Sequence, residues 1–270
     1  MDRSQLFAPG HDANLLGKVF EAGADAVILD LEDAVAADQK ETARAMVARA
    51  LLVGNAGWVR INEAGSEAAR ADLDALRGLP AGIRVPKVES PEAVRWVAER
   101  APNIPLAAAI ETARGLLAAA EIARAPGVRM LAFGGLDLQR DLWTSDGGLA
   151  LLYARSHLVV CSRAAGIEPP IDAVHPQLAD LEGLRDAARL ARSVGMFGKS
   201  AIHPRQLPVI HEVFTPSRDD VAWAREVVAV FDAAGGAAAR LAGGEFVDKP
   251  VADRARRLLE LADRLAGQGS

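Results

Sequence analysis

Short apolar runs alternate with longer amphipathic stretches along nearly the whole chain. The runs at residues 5–8, 26–31, 58–62, 82–88, 106–110, 130–133, 170–173 and 198–202 are mostly continuous rather than alternating, the pattern of strands covered on both faces. The segments between them are rich in Ala, Leu and Arg and carry apolar residues at helical spacing. In residues 40–52, Ala43, Met46, Val47 and Ala50 share one face. The segment 91–100 opens with Ser90 in the N-cap position, Pro91 at the first helical position and Glu92 near the positive end of the helix dipole. Eight strands alternating with helices predict an α/β fold, a (β/α)8 TIM barrel. A doubly wound open sheet has the same alternation, but no G-x-G-x-x-G follows the first strand.

The barrel accounts for roughly residues 1–214. Residues 215–270 read as a helix starting near Thr215, a Gly/Ala-rich bend at 233–244, and a final helix. Ser217 and Asp220 are spaced as a capping box for the first of these helices. The last helix carries Val251, Ala255, Leu258, Leu259, Ala262 and Leu265 on one stripe, which has to dock on something. No low-complexity linker precedes the segment, so it is expected as a C-terminal helical extension of a single domain, residues 1–270.

Composition narrows the function. The 270 residues include 31 Lys and Arg against 36 Asp and Glu, a net charge of −5, so no basic field is available to attract nucleic acid. The single cysteine, Cys161, lies in an apolar run and reads as a small buried hydrophobe in a reducing compartment. No apolar run approaches the roughly 18 residues that a membrane span needs. Residues 1–12 lack the basic and apolar parts of a signal peptide, and a cytoplasmic protein is expected.

The chemistry collects after the strands, on the face where barrel active sites lie. Glu111 and Asp137 each follow an apolar run, LAAAIE and MLAFGGLD. Two carboxylates with open positions beside them suit Mg2+, which prefers oxygen ligands and keeps several waters; equally, each could be a first-turn acid of the following helix. Arg60 sits inside the apolar run WVRIN and needs an acidic partner, either a neighbouring carboxylate or that of a substrate. Lys87 has the position for a Schiff-base lysine or for a salt bridge to Glu89, Glu111 or Asp30. Asp30, Glu32 and Asp33 concentrate enough negative charge to require a cation, protons or basic neighbours. The seventh run carries Asp172, and His203 follows the eighth. Other patterns fail: the GKS of residues 198–200 lacks the first glycine of a P-loop and precedes a strand, His203 and His211 form no H-E-x-x-H pair, and no G-x-S-x-G occurs.

These residues together resemble the citrate lyase beta-subunit-like family, which includes the malyl-CoA and citramalyl-CoA lyases of the phosphoenolpyruvate/pyruvate superfamily. The matching stretches are RSQLFAPG, GADAVILDLEDAV, VRIN, VPKVES, AAIETARGL and LAFGGLDLQRDL, then RAAGIEPPIDAV, GKSAIHPRQL and GGEFVDKPVADRA, in order from residue 3 to residue 255. The resemblance implies a (β/α)8 barrel with a C-terminal extension, assembled as homotrimers or hexamers. It implies Mg2+ held by Glu111 and Asp137, with Arg60 and the backbone around Gly134, Gly135 and Asp137 gripping the carboxylate of a 2-oxo acid. Asp248, in the VDKP stretch, would be the acid/base and would serve a neighbouring subunit, while Glu32, Asp33 and Lys87 support the site from behind. The implied function is a Mg2+-dependent carbon–carbon lyase. It would cleave or form a 3-hydroxyacyl thioester such as citramalyl-CoA, malyl-CoA or a citryl thioester, giving a 2-oxo acid and an acetyl thioester carried by CoA or an acyl carrier. Two alternatives stay open: a citrate lyase beta-type subunit that needs its carrier partner for turnover, and a metal-independent Lys87 aldolase. The chain departs from the family at Asp33, where related aldolases of free hydroxy acids have histidine, at Trp143, and at His175.

Overall fold

The computed structural model describes residues 1–145 and 147–268. The chain divides between Phe214 and Thr215 into two compact units. In the first, β1 (Ser4–Pro9), β2 (Ala26–Asp30), β3 (Trp58–Arg60), β4 (Gly82–Val85), β5 (Leu106–Ile110), β6 (Val128–Phe133) and β7 (Lys199–Ala201) form a curled parallel sheet. Among the described residues the sheet has seven strands, in the order β6-β5-β4-β3-β2-β1-β7. The helices are α1 (Ala13–Lys18), α2 (Lys40–Leu52), α3 (Glu67–Ala75), α4 (Pro91–Arg100), α5 (Ala113–Ile122), α6 (Gly135–Asp141), α7 (Leu152–Ala165), α8 (Leu181–Ser193) and α9 (Leu207–Phe214).

Successive strand residues point to opposite faces, so each continuous apolar run feeds two cores. One core holds Leu29, Val59, Ile83 and Val85 together with Ala43 and Val47 of α2 and Val94 and Val97 of α4. The other is a separate cluster containing Ile28, Trp58, Ala107, Ala109, Met130, Ala132 and Ile171. Trp58 lies so close to Gly82 that a Cβ there would meet its ring at 2.5 Å, which explains a glycine at the start of β4. The register matters for function: Asp30 pairs with Arg60, Arg60 with Arg84, and Arg84 with Ala107, so three charged residues stand side by side on adjacent strands.

Several expectations need correction. Residues 170–173 do not form a regular strand; Ile171 bridges Ala132 of β6 and Asp172 bridges Lys199 of β7, one bridge on each side. Residues 61–62 and 86–88 lie beyond the ends of β3 and β4. Asn62 instead donates its side-chain amide to the Leu31 carbonyl and to Asp72, and Pro86 has no N–H for a ladder. Ser90 stands at the N-cap of α4 and Pro91 begins it, but the serine hydroxyl makes no capping bond to the helix. Cys161 is buried.

The second unit consists of α10 (Arg218–Ala233), a hairpin of β8 (Ala239–Arg240) and β9 (Phe246–Val247), and α11 (Lys249–Gln268). Both halves of the Ser217–Asp220 capping box are present. The bend at 233–244 contains the first strand of that hairpin, which the periodicity did not predict; β8 and β9 are too short to show one. Ala224, Val227 and Phe231 of α10 pack against Leu241, Val247, Ala252 and Ala255. Val251, Leu258 and Leu259 of the apolar stripe are half-buried at the edge of this core. Among the described residues no helix is long and apolar enough to cross a membrane.

Candidate functional site

The strand ends of the first unit bring together residues far apart in the chain. A cavity of about 310 Å³ is lined by Phe7, Asp30, Arg60, Arg84, Glu111 and Asp137, among others, and by the backbone at Gly134 and Gly135. A second cavity of about 490 Å³ is lined by Lys87, Glu89, Thr112, Arg140 and Trp143. Glu111 and Asp137 line both, so the two carboxylates stand where the cavities adjoin.

Arg60 donates from Nε and Nη2 to the two oxygens of Asp30, at 2.7 and 2.6 Å, and its Nη1 lies 3.0 Å from Glu32. The bidentate partner that Arg60 requires is therefore a carboxylate of its own protein, and only its remaining N–H positions face a ligand. Burial works against the charge, but the bonds to Asp30 outweigh it and hold the guanidinium well above its usual range. Lys87 continues the network, with Nζ at 2.5 Å from Glu32 and 3.2 Å from Asp33. Burial raises the Glu32 carboxyl despite Arg60 and Lys87. At Asp33 burial acts in the same sense, but hydrogen bonds to Glu32 and Lys87 prevail and keep it low. At Lys87 burial favours the free amine, yet the bonds to Glu32 and Asp33 win and hold the ammonium above its usual value. Ion pairing to two carboxylates favours the ammonium form over the free amine that a Schiff base needs, which argues against the Schiff-base reading.

Glu111 follows β5 and is 4% exposed. Its side chain rests against Gly134, where any Cβ would meet Glu111 Cγ at 2.2 Å; the glycine is thus required by the position of the carboxylate. One oxygen accepts the Lys87 backbone amide at 3.2 Å, and Lys87 reaches this arrangement with a φ of +50°. Burial pushes the Glu111 carboxyl up, and the charges of Glu32 and Asp137 push it further, against Arg84 and Arg60. Asp137, in the first turn of α6, pairs with the exposed Arg140 at 2.9 Å. Two neighbouring carboxylates that repel each other at a cavity junction fit a divalent cation with oxygen preference. Among the described residues no three His, Cys, Asp or Glu side chains converge on a metal, so water and substrate oxygens would complete the coordination, as suits Mg2+.

The Gly134 amide is committed to the Ile110 carbonyl at 3.0 Å. Gly134 therefore contributes its missing side chain to the cavity and not its N–H, contrary to the sequence expectation. Asp172 is also not part of the cavity; it is fully buried between Lys199, at 2.5 Å, and Arg155, at 2.9 Å. This triad accounts for the lysine of the P-loop-like GKS. Trp143 is 95% exposed with a φ of +55° beside the larger cavity, and His175 lies 3.5 Å from Asp180. Asp248 belongs to the second unit, where its carboxylate accepts the Val251 amide at the start of α11. Sequence reasoning missed Arg84. The signal was available: an arginine in the apolar run GIRV calls for the same question that Arg60 raised.

Residues 3–204 match the family model for HpcH/HpaI aldolase/citrate lyase. The citrate lyase subunit beta-like protein of Deinococcus radiodurans is 39% identical over 95% of this chain and 96% of its own length. The human mitochondrial citramalyl-CoA lyase is 33% identical over 96% of this chain and 85% of its own. Among solved structures, protein CitE from Mycobacterium tuberculosis in complex with magnesium, acetoacetate and coenzyme A superposes with a TM-score of 0.84 at 36% identity, covering 96% of this chain and 97% of that one. The paired carboxylates, the cationic neighbours and the parallel α/β frame thus occur in a chain that belongs to the HpcH/HpaI aldolase/citrate lyase family.

Proposed function

We propose that this chain is a Mg2+-dependent carbon–carbon lyase that cleaves, or in reverse forms, a 3-hydroxyacyl thioester of the malyl, citramalyl or citryl type, giving a 2-oxo acid and an acetyl thioester. The observation that carries this reading is the placement of Glu111 and Asp137 at the junction of two cavities. One cavity has guanidinium groups for the oxo acid, and the other has room for a thioester arm. Magnesium and coenzyme A in the related CitE structure, and citramalyl-CoA in the name of the human relative, support it.

Glu111 and Asp137 would hold the cation, which when bound supplies Lewis acidity toward the ketone oxygen. Arg60, through the N–H groups that Asp30 leaves available, and the backbone from Gly135 to Asp137 would orient the oxo-acid carboxylate. Glu32, Asp33 and Lys87 fix Arg60 and the approach to Glu111 by the bonds described above. In the cleavage direction the 3-hydroxyl gives its proton to solvent, its oxygen forms the ketone C=O as the C–C bond breaks, and the electron pair of that bond passes to the thioester α-carbon. Asp248 would return a proton to that carbon. Its distant place in the sequence fits service to a neighbouring subunit in a homotrimer or hexamer. The one-residue bridges from Ile171 and Asp172 to the two outer strands support an eight-staved closed barrel, with residues 170–173 as the irregular stave. The reducing-compartment composition supports a cytoplasmic location.

A panel of malyl-, citramalyl- and citryl-CoA, assayed with Mg2+ and with chelator, tests the proposal. Cleavage of at least one thioester, lost in chelator, is expected; undiminished turnover in chelator would remove the metal from the scheme. Cleavage only when the thioester sits on a protein carrier would assign the carrier-dependent subunit. Borohydride with pyruvate should trap no adduct at Lys87, and a trapped imine would restore the lysine aldolase. Asp248→Asn keeps a side-chain oxygen for the Val251 amide and is expected to leave stability unchanged while stopping exchange of acetyl-thioester α-protons with solvent. Unchanged exchange would take Asp248 out of its role. Asp248→Ala should in addition cost about 1 kcal/mol of helix capping.

A further inference from the structure

We propose that Arg84 is a second anion-binding residue of the 310 Å³ cavity, and that it makes the site selective for a 2-oxo acid bearing two carboxylates by receiving the carboxylate remote from the ketone. This rests on the lyase reading above for the placement of the ketone at Glu111 and Asp137.

Among the described residues Arg84 carries a charge with no carboxylate paired to it. Arg84 is 4% exposed, and among the described residues its hydrogen-bond acceptor is the Ser200 hydroxyl, reached from Nη1 at 3.1 Å. Its Nε has no hydrogen-bond partner, and among the described residues it forms no ion pair with a carboxylate. The other deeply placed arginines differ: Arg60 is forked onto Asp30, and Arg155 bonds Asp172. A guanidinium buried without an anion is costly, and a site that carries one is built to be completed. The group remains cationic at neutral pH, although burial, with Arg60 beside it, draws it down to about 10.

Geometry then limits what completes it. From β4 the side chain reaches Ser200 on β7, four places away in the strand order, so it crosses the inside of the curled sheet. The small residues Ala107, Ala109 and Ala132 belong to the buried cluster inside the sheet. Arg60 and Arg84 each lie 5.1 Å from the centre of the Phe7 ring, whose π-electrons hold both cations against one surface. The cavity therefore offers two guanidinium groups from paired positions on adjacent strands. Arg60, nearer the opening and neutralised by Asp30 and Glu32, suits the carboxylate beside the ketone. Arg84, deeper and unneutralised, suits a second carboxylate carried on the oxo-acid side chain. Pyruvate and glyoxylate have no group to reach it, whereas oxaloacetate has.

The test uses the full chain with Mg2+, as wild type, Arg84→Met and Arg84→Lys. Calorimetry measures oxaloacetate and pyruvate binding, kinetics compare citryl-CoA with citramalyl-CoA, and thermal unfolding monitors the fold. Wild type should bind oxaloacetate in preference to pyruvate. Arg84→Met should weaken oxaloacetate binding and raise KM for citryl-CoA by about 10- to 100-fold, change pyruvate binding and KM for citramalyl-CoA several-fold less than that, and not lower the unfolding midpoint. Arg84→Lys should recover part of the loss. Equal losses for both oxo acids, or a lowered midpoint with no change in selectivity, would overturn the proposal and make Arg84 a general counter-charge to the carboxylates. If no thioester is cleaved by the wild type, the lyase reading fails, while the calorimetric comparison still decides the role of Arg84.

Discussion

Replacing Asp137 with alanine is expected to abolish Mg2+-dependent cleavage and leave the protein folded. The side chain is 29% exposed and pairs with Arg140, itself on the surface, so the lost ion pair is worth about 0–1 kcal/mol. The expected catalytic cost is of another order. Lewis-acid stabilisation contributes several kcal/mol to a barrier, and each ~1.4 kcal/mol is a factor of ten, so turnover should fall by roughly a thousandfold or more. Mg2+ binding measured by calorimetry should weaken in parallel, and the unfolding midpoint without the metal should stay in place. Glu111→Gln should behave alike in activity, since it keeps the shape that rests on Gly134 but removes the charge. Wild-type turnover in Asp137→Ala would falsify the assignment of the pair.

The second large effect is on stability. Asp172→Ala leaves Arg155 and Lys199 buried with no carboxylate between them. Breaking a buried ion pair by removing one partner costs about 3–5 kcal/mol, which for a unit of this size corresponds to a drop of roughly 6–20 °C in the unfolding midpoint. The effect is reinforced by place, because Asp172 and Lys199 also make a backbone bridge at one edge of the sheet. Replacing all three residues with apolar ones of similar volume should recover most of the loss. The pH dependence has a defined sign. Burial opposes the Asp172 charge, but Lys199 and Arg155 overcome it and set the carboxyl below its unfolded value. Its contribution is therefore present above the ordinary carboxylate range and lost as pH falls through the lowered folded value. A midpoint within a degree or two of wild type for Asp172→Ala would show the triad to be dispensable.

Arg60 and Arg84 mark how far local reasoning carries. Both are single arginines in apolar runs, and sequence alone raises the demand for an anion at each. The answers differ because the partners are distant: Asp30 stands beside Arg60 through the β2–β3 register, while the other neighbour of Arg84, Ala107 on β5, brings no charge. The Gly134 amide was similarly illegible, since its acceptor, Ile110, lies on the preceding strand. The hairpin in the second unit failed for a simpler reason, as two-residue strands have no measurable period.

What the amino-acid sequence determined by itself is local. The apolar runs of β1 to β6, the buried face of α2, the Ser217–Asp220 capping box and the placing of Glu111 and Asp137 just after strands all follow from periodicity and capping chemistry within a few residues. The tertiary structure decided which charges meet. Parallel register set Asp30, Arg60 and Arg84 abreast, closed Arg60 onto its own carboxylate, buried Asp172 between two cations, and left one guanidinium facing a cavity with no carboxylate paired to it among the described residues. The physical reason is that hydrophobic pattern specifies which face a residue occupies, whereas the energy of a buried charge depends on the few ångströms that separate it from groups tens of residues away.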